Sequence, residues 1–388
     1  MEPATVPAQV AADVVATPMR TASKRPRDLR LDFFRGLALW FIFLDHVPDN
    51  VVSWLTVRNY GFSDATEIFV FISGYAAVIA YGGVLAERGT VVAVARVVRR
   101  VWQLYVAHLL LFLAFTVQIA WVSLRTGRQA YLESMNLLGL VDDPARTLIE
   151  TALLKFRPVN LDVLPLYIVV LASFAAALPL VRRWPWRVLA VSALLYYLAR
   201  RLGWNFPGYP EGKNWYFDPF TWQLVFYIGA AFAVDGRMGE RLRPCAKFLA
   251  PAAIAYLLFA LLVALSWEFR ALAFVVPDWL GRLIYPIDKT TLDPLRLAHF
   301  LALAYVVQLA VPADARFLSW RIVRPLRRCG EHSLLVFCIG TFLSFTAHVV
   351  LSEVGGSVSA QVAVSAIGIA LLAATAGIAG WHKKLQRT

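Results

Sequence analysis

Charged residues are scarce in this sequence of 388 residues, of which only 16% are Asp, Glu, Lys or Arg. Soluble domains carry about 25%, so this shortage argues against a soluble fold. Cysteine is also scarce, and Cys245, Cys329 and Cys338 show no paired spacing. We therefore expect neither a disulfide framework nor a metal site. No internal repeat is visible, so a transporter built from inverted repeats gains no support.

Apolar residues take the place of the missing charge: 59% of the chain is hydrophobic and its mean hydropathy is +0.61. Crossing a bilayer takes about 20 apolar residues, and the chain contains several such runs. The sequence therefore predicts an all-α polytopic membrane protein with about ten transmembrane helices. The predicted spans are 31–48, 64–83, 101–122, 162–181, 186–200, 220–236, 247–267, 294–311, 331–351 and 358–380.

The net charge of +13 is placed in a way that indicates topology rather than a nucleic-acid partner. With the N-terminus inside, 24 of the 38 Lys and Arg residues fall in inner segments and 13 in outer ones. This asymmetry predicts that both termini are cytoplasmic. Residues 1–29 end in basic residues instead of starting with them, so we expect a disordered cytoplasmic tail and no signal peptide. Residues 30–380 would form one transmembrane domain, and 381–388 a second basic tail.

The first predicted span carries ionisable residues that a simple membrane anchor would lack. Arg35 and His46 are eleven residues apart, which places them within about 20° on one helix face and about 16 Å apart along the axis. Asp32 lies one turn before Arg35 on the same stripe. Because charge in hydrocarbon is costly unless it faces protein or water, this stripe predicts a polar path that ends at His46 near the outer surface.

Three carboxylates lie close to His46 in the sequence: Asp45, Asp64 and Glu67. A neutral imidazole beside a carboxylate is a common general base, although a histidine at a helix end is often only an interfacial polar group. Asp64 and Glu67 also have the spacing of a capping box, which needs no catalysis to explain it. Gly74, with the serine before it, predicts a close helix approach.

The predicted outer loops hold the candidates for substrate binding. Residues 200–222 are rich in aromatic, Asn and Asp residues, which would suit stacking on sugar rings or an aromatic belt at the membrane interface; both interpretations remain open. A later helix begins at Asp293–Pro294 and places two polar residues three apart on one face. The candidate substrate-binding residues are Arg58, Trp204, Trp215, Tyr216, Asp218, Arg296 and His299.

The stretch FFRGLALWFIFLDH, followed by RNYGFSDATEIFVFISGY, resembles the OpgC family of bacterial membrane enzymes that succinylate osmoregulated periplasmic glucans. DPLRLAHFLALAY and CGEHSLLVF extend the resemblance over about residues 27–380. The arginine and histidine of the first helix also resemble those of the wider superfamily of integral-membrane acyltransferases. There the histidine is catalytic and the arginine is required, which implies these roles for His46 and Arg35.

The resemblance implies an O-acyltransferase of the bacterial inner membrane. It would move an acyl group, expected to be succinyl, from cytoplasmic acyl-CoA to hydroxyls of a periplasmic glycan. Succinyl-CoA or acetyl-CoA would be the donor substrate, with no bound cofactor. Asp32 and Arg35 would line the acyl-CoA path, and a carboxylate would fix the tautomer of His46. Membrane lipids are expected partners, and a homo-oligomer is left open. A glycan or acyl-lipid transporter, or a non-catalytic membrane partner of glucan synthesis, would also fit the residues.

Overall fold

The computed structural model describes residues 28–236 and 238–386, although it does not describe the side chains of 238 and 239. Within these ranges the chain is helical, apart from turns and one isolated β-bridge between Pro207 and Asn214. This confirms the predicted all-α fold. Most of the predicted N-terminal tail, residues 1–27, and the last two residues of the C-terminal tail lie outside the described ranges.

Nine long helices form the framework of the described residues, and every predicted span overlaps one of them. They are α1 (Leu29–Asp45), α2 (Ala65–Thr126), α3 (Val163–Arg183), α4 (Pro185–Leu202), α5 (Pro219–Asp235), α6 (Ala246–Glu268), α7 (Pro294–Ala310), α8 (Ser333–Val354) and α9 (Val358–Leu385). The described chain has five helices long and apolar enough to cross a membrane: α2, α3, α8, α9 and Glu240–Glu268, which contains α6. The protein is therefore a membrane protein, whereas ten spans and cytoplasmic termini remain predictions.

Shorter helices fill the connections between the long ones. The short α-helices are Ala130–Ser134, Leu138–Asp142, Pro144–Ala152, Met238–Leu242, Asp278–Ile284 and Arg324–Glu331. The 3₁₀ helices are Val51–Leu55, Val57–Tyr60, Arg243–Cys245, Arg270–Val275, Arg316–Ser319 and Arg321–Val323.

One prediction is wrong in the region of α2. The sequence predicted an inner loop at residues 84–100, between the second and third spans. Residues 84–100 are helical except at Gly89, whose φ of 81° and ψ of 176° interrupt the helix. Glycine accepts this backbone conformation because it has no Cβ, so the chain bends there without a loop. The four arginines of this segment indicated a connection, but charged residues are good helix formers and no proline interrupts them.

Glycines bring the backbones of the central helices close together. A Cβ on Gly74 of α2 would overlap the carbonyl oxygen of Phe226 in α5, and a Cβ on Gly229 of α5 would overlap that of Phe71 in α2. The close approach predicted at Gly74 is therefore confirmed. Gly36 of α1 meets Leu326 of the short helix Arg324–Glu331 in the same way. These contacts fix α2 against α5 and α1 against the short helix Arg324–Glu331.

Candidate active site

A cavity of about 1280 Å³ opens where α1 ends and α2 begins. Its walls come from residues 42–66, 133–163, 208–217 and 264–289, with Arg296 of α7 and His348 of α8. The wall segments that connect helices all belong to the predicted outer loops. The structure therefore places these outer loops around a single cavity. Asp45, His46, Arg58, Asp64, Tyr216 and Arg296 are the predicted site residues that line it.

His46 is the first residue beyond α1, and its backbone N–H donates to the carbonyl oxygen of Ile42 at 3.1 Å. Its Nδ1 is buried and has no hydrogen-bond partner in the described part of the chain. Leaving a buried polar atom unpaired costs about 1–3 kcal/mol, so such atoms are uncommon unless a function uses them. His46 as a whole is only half-buried and lines the cavity, so its imidazole is placed to exchange a proton with a group that enters there.

The depth of His46 follows from the packing of α1. Asp32 lies against Gly330 and Phe43 lies against Gly340, so α1 and residues 330–340 run side by side in the same direction. In this register His46 is level with residue 343 of α8. Helix α8 continues to Val354, so its end lies about 16 Å beyond the level of His46 at 1.5 Å per residue. His46 is thus recessed by this distance relative to the end of α8.

The turn after α1 closes over one edge of the cavity. Thr56 Oγ1 donates to Asp45 Oδ1 at 2.7 Å, and Arg58 donates to the backbone carbonyl oxygen of Asp45 at 3.3 Å. Asp45 therefore uses its carboxylate to hold this turn. Arg58 lies on the cavity wall beside the residue that precedes His46.

The start of α2 has the predicted capping box. Asp64 Oδ1 accepts from the backbone N–H of Thr66 at 2.8 Å, and Glu67 Oε2 accepts from that of Asp64 at 3.0 Å. Such a box pairs two backbone donors that would otherwise be free at a helix start. Capping is therefore confirmed as one role of both carboxylates.

The remaining carboxylate oxygens of the box bind two cations. Lys289 Nζ lies 2.6 Å from Asp64 Oδ2, and Arg296 lies 3.2 Å from the same oxygen and 2.7 Å from Glu67 Oε1. Glu67 is fully buried behind this network. None of the three nearby carboxylates forms a described hydrogen bond with His46, and each binds other groups. That they fix its tautomer remains a prediction.

Arg296 and His299 lie on one face of α7, as predicted, but they do different things. Arg296 joins the ion pairs and lines the cavity, whereas His299 is buried and supports the turn before α2. His299 Nδ1 accepts from the backbone N–H of Ser63 at 3.3 Å and lies 2.7 Å from Ser63 Oγ. Its ring occupies the space that a Cβ on Gly61 would need.

Lys289 is a site residue that the sequence analysis missed. It lies in the loop between α6 and α7, where Trp222 Nε1 donates to its carbonyl oxygen at 3.0 Å. Burial disfavours its charged form, but the carboxylates of Asp64 and Glu67 outweigh this and hold the pKa of Lys289 above its usual value. Its partner lies 225 positions earlier, and local spacing gives no signal for such a pair.

The aromatic loop lines the cavity, but of its four predicted binding residues only Tyr216 is part of the lining. Tyr216 lines the cavity and is 48% exposed, whereas Trp204 is 43% exposed outside the lining, edge-on to Phe220. Trp215 is 3% exposed beneath the guanidinium of Arg157, which lies 4.5 Å from its ring centre. Asp218 is fully buried and caps α5 by accepting from the backbone N–H of Phe220 at 3.0 Å.

The two residues predicted to line the acyl-CoA path lie deeper along α1. Arg35 donates to the carbonyl oxygen of Ile72 in α2 at 3.3 Å, and Asp32 is buried. Neither lines the 1280 Å³ cavity, so the path itself remains a prediction. Among the described residues, no group of three or more His, Cys, Asp or Glu could hold a metal ion.

The family model described as OpgC protein matches residues 27–384, nearly the whole chain. The chain therefore belongs to the OpgC family, and the resemblance noted in the sequence is confirmed. Membership indicates an OpgC-type glucan acyltransferase embedded in a membrane. No curated protein and no solved structure matches the chain.

Proposed function

We propose that this member of the OpgC family transfers a succinyl group from cytoplasmic acyl-CoA to a hydroxyl of a periplasmic glucan, in the bacterial inner membrane. The observation that carries the proposal is His46, a half-buried imidazole on the wall of a large cavity, whose Nδ1 has no hydrogen-bond partner among the described residues. Family membership supports the reaction class.

The chemistry needs one group that takes a proton and later returns it. His46 would remove the proton from the sugar hydroxyl as its oxygen attacks the thioester carbonyl carbon. The new C–O bond forms, the C–S bond breaks, and the departing thiolate takes the proton back from His46. Holding both substrates in one cavity would supply much of the rate enhancement.

The two substrates would enter from opposite sides. The glucan would reach the cavity from the side of the gathered loops, where Tyr216 and several asparagines offer a stacking face and hydrogen-bonding groups. The pantetheine arm would approach along α1 past Asp32 and Arg35. The recessed position of His46 favours this route, because it shortens the distance that the thioester must travel from the inner face.

Mass spectrometry of envelope glucans tests the proposal directly. Glucans should gain the mass of succinyl groups in cells that produce the protein and lack it both in cells without the protein and in cells that produce His46→Ala. Purified protein supplied with succinyl-CoA or acetyl-CoA then identifies the preferred donor. Identical glucan spectra with and without the protein would refute the proposal, and movement of glucan across the membrane without a new ester would indicate a transporter.

A further inference from the structure

Acyl transfer from a thioester places negative charge on the carbonyl oxygen in the transition state. Enzymes stabilise this oxyanion with fixed hydrogen-bond donors, and removing one donor typically costs about 10²–10³ in kcat. His46 transfers the proton and does not donate a hydrogen bond to the oxyanion. The cavity wall must therefore hold another group with N–H bonds that point toward the reacting carbonyl.

Lys289 has N–H groups on the cavity wall that are available for a ligand. A lysine ammonium has three N–H bonds, and the only described hydrogen-bonding partner of Lys289 Nζ is Asp64 Oδ2 at 2.6 Å. The same nitrogen lies 5.4 Å from the ring centre of Phe217, another residue of the cavity wall. Two N–H bonds thus remain for a ligand in the cavity that Lys289 shares with His46.

The loop that carries Lys289 is held on both flanks. Asp288 accepts from the backbone N–H groups of Thr290 and Thr291 at 2.9 and 2.8 Å, and the backbone N–H of Asp218 donates to the carbonyl oxygen of Thr290 at 3.1 Å. Trp222 anchors the carbonyl oxygen of Lys289 itself. A donor fixed in this way needs little reorganisation during the reaction, which is what makes an oxyanion site effective.

The charges around Lys289 are balanced before a substrate enters. Lys289 and Arg296 face Asp64 and Glu67, two cations against two carboxylates, and the capping box holds both carboxylates in place. Arg58 also lines the cavity, but its described contact is a longer one, 3.3 Å to a backbone carbonyl oxygen, and it is more exposed. Lys289 is therefore the better-fixed donor.

We propose that Lys289 is a catalytic residue that binds the thioester carbonyl oxygen and stabilises its oxyanion, with the Asp64–Arg296–Glu67 network holding it in position. The inference rests on the proposed acyl transfer and deepens it. In the step itself, the hydroxyl oxygen bonds to the carbonyl carbon while the carbonyl π electrons move to the oxygen held by Lys289. When these electrons return, the C–S bond breaks and the thiolate leaves with the proton from His46.

Kinetics of the purified full-length protein test this role with acyl-CoA and glucan. Lys289→Met should lower kcat by about 10²–10³ and leave both Michaelis constants within about threefold. Lys289→Arg should recover part of the rate, because a guanidinium can still bind Asp64 and donate to the carbonyl oxygen. Lys247→Met, the same change at an exposed lysine at the start of α6, should leave kcat unchanged.

The pH profile tests whether Lys289 lies close enough to His46 for both to act on one substrate. The charged groups that act on His46 are Lys289, Asp64 and Arg58, with Asp45 beside it in sequence. A positive charge disfavours a second one on a nearby imidazole, so Lys289→Met should move the acid-side loss of activity to higher pH. An inflection that stays in place would show that Lys289 lies too far from His46 for the two to act on one carbonyl group.

Three outcomes would overturn the inference. They are a kcat for Lys289→Met within threefold of wild type, an equal loss in Lys289→Arg, or a lower melting temperature with an unmoved pH profile. In each case His46→Ala can still abolish transfer, so the proposed function would stand without the role of Lys289. A wild-type protein that transfers no acyl group would refute the proposed function, and the role of Lys289 with it.

Discussion

Gly74→Ala should destabilise the protein through the crossing of α2 and α5. An added Cβ would lie 2.8 Å from the carbonyl carbon of Phe226 and 3.0 Å from its Cα, whereas non-bonded carbons prefer about 3.5–4.0 Å. The obstacle is backbone in the middle of α5, so it cannot rotate away and the helices must separate. Overpacking of this kind costs about 1–3 kcal/mol.

Gly83→Ala is the matched control in the same helix. Nothing lies within 4 Å of a Cβ at this position, and replacing glycine by alanine inside a helix stabilises it by about 0.5–1 kcal/mol. Gly74→Ala gains the same helix stabilisation, so the two variants should differ by the overpacking cost alone, about 1–3 kcal/mol in the free energy of unfolding.

Thermal unfolding of detergent-solubilised protein measures this difference. At about 2–4 °C per kcal/mol, the scale for domains of 150–250 residues, Gly74→Ala should melt several degrees below wild type and Gly83→Ala at or above it. Equal melting temperatures for the two variants would show that the helices do not meet at Gly74 as described.

Three further predictions concern the site and its orientation. Tyr216→Ala should raise the Michaelis constant for glucan about tenfold by removing a stacking face. Trp215 is buried, so Trp215→Ala should instead reduce the amount of folded protein on an immunoblot. The opposite pattern would make Trp215 the stacking residue and Tyr216 the structural one. Asp64→Asn keeps the helix cap but removes the negative partner of Lys289, so we expect normal accumulation with kcat lowered about tenfold or more; full activity would leave Asp64 only its capping role. Reporter fusions after residues 140 and 320 should report periplasm and cytoplasm, respectively; a cytoplasmic signal at 140 would place the cavity on the wrong side for an external glucan.

Patterns that depend on neighbouring residues were readable from the sequence. Apolar runs located all the long helices, and the spacing of Asp64 and Glu67 predicted the capping box that the structure contains. Gly74 marked a close helix approach because only a residue without a Cβ permits one. The prediction of an inner loop at 84–100 was wrong. Arginines show that a segment is polar, but they do not show that a helix ends there.

Long-range contacts within the site could not be read in this way. Arg296 binds Glu67 across 229 positions, and no local period encodes such a pair. Trp215 and Asp218 have the composition of a sugar site, yet the structure buries one under Arg157 and uses the other as a helix cap. Composition indicates which groups are available to a loop, whereas tertiary packing decides which of them face the cavity.

The most direct test of the central claim is acyl transfer by His46→Ala in inside-out membrane vesicles. These vesicles expose the cytoplasmic face, so acyl-CoA is added outside and glucan is enclosed within. We expect the variant to insert and accumulate like wild type, because His46 packs at a helix end, and its transfer rate to fall by about 10²–10⁴, the contribution of a general base. His46→Gln should be equally inactive, since an amide cannot accept the proton. Near-normal acylation by His46→Ala would contradict the assignment of this cavity as the site of transfer.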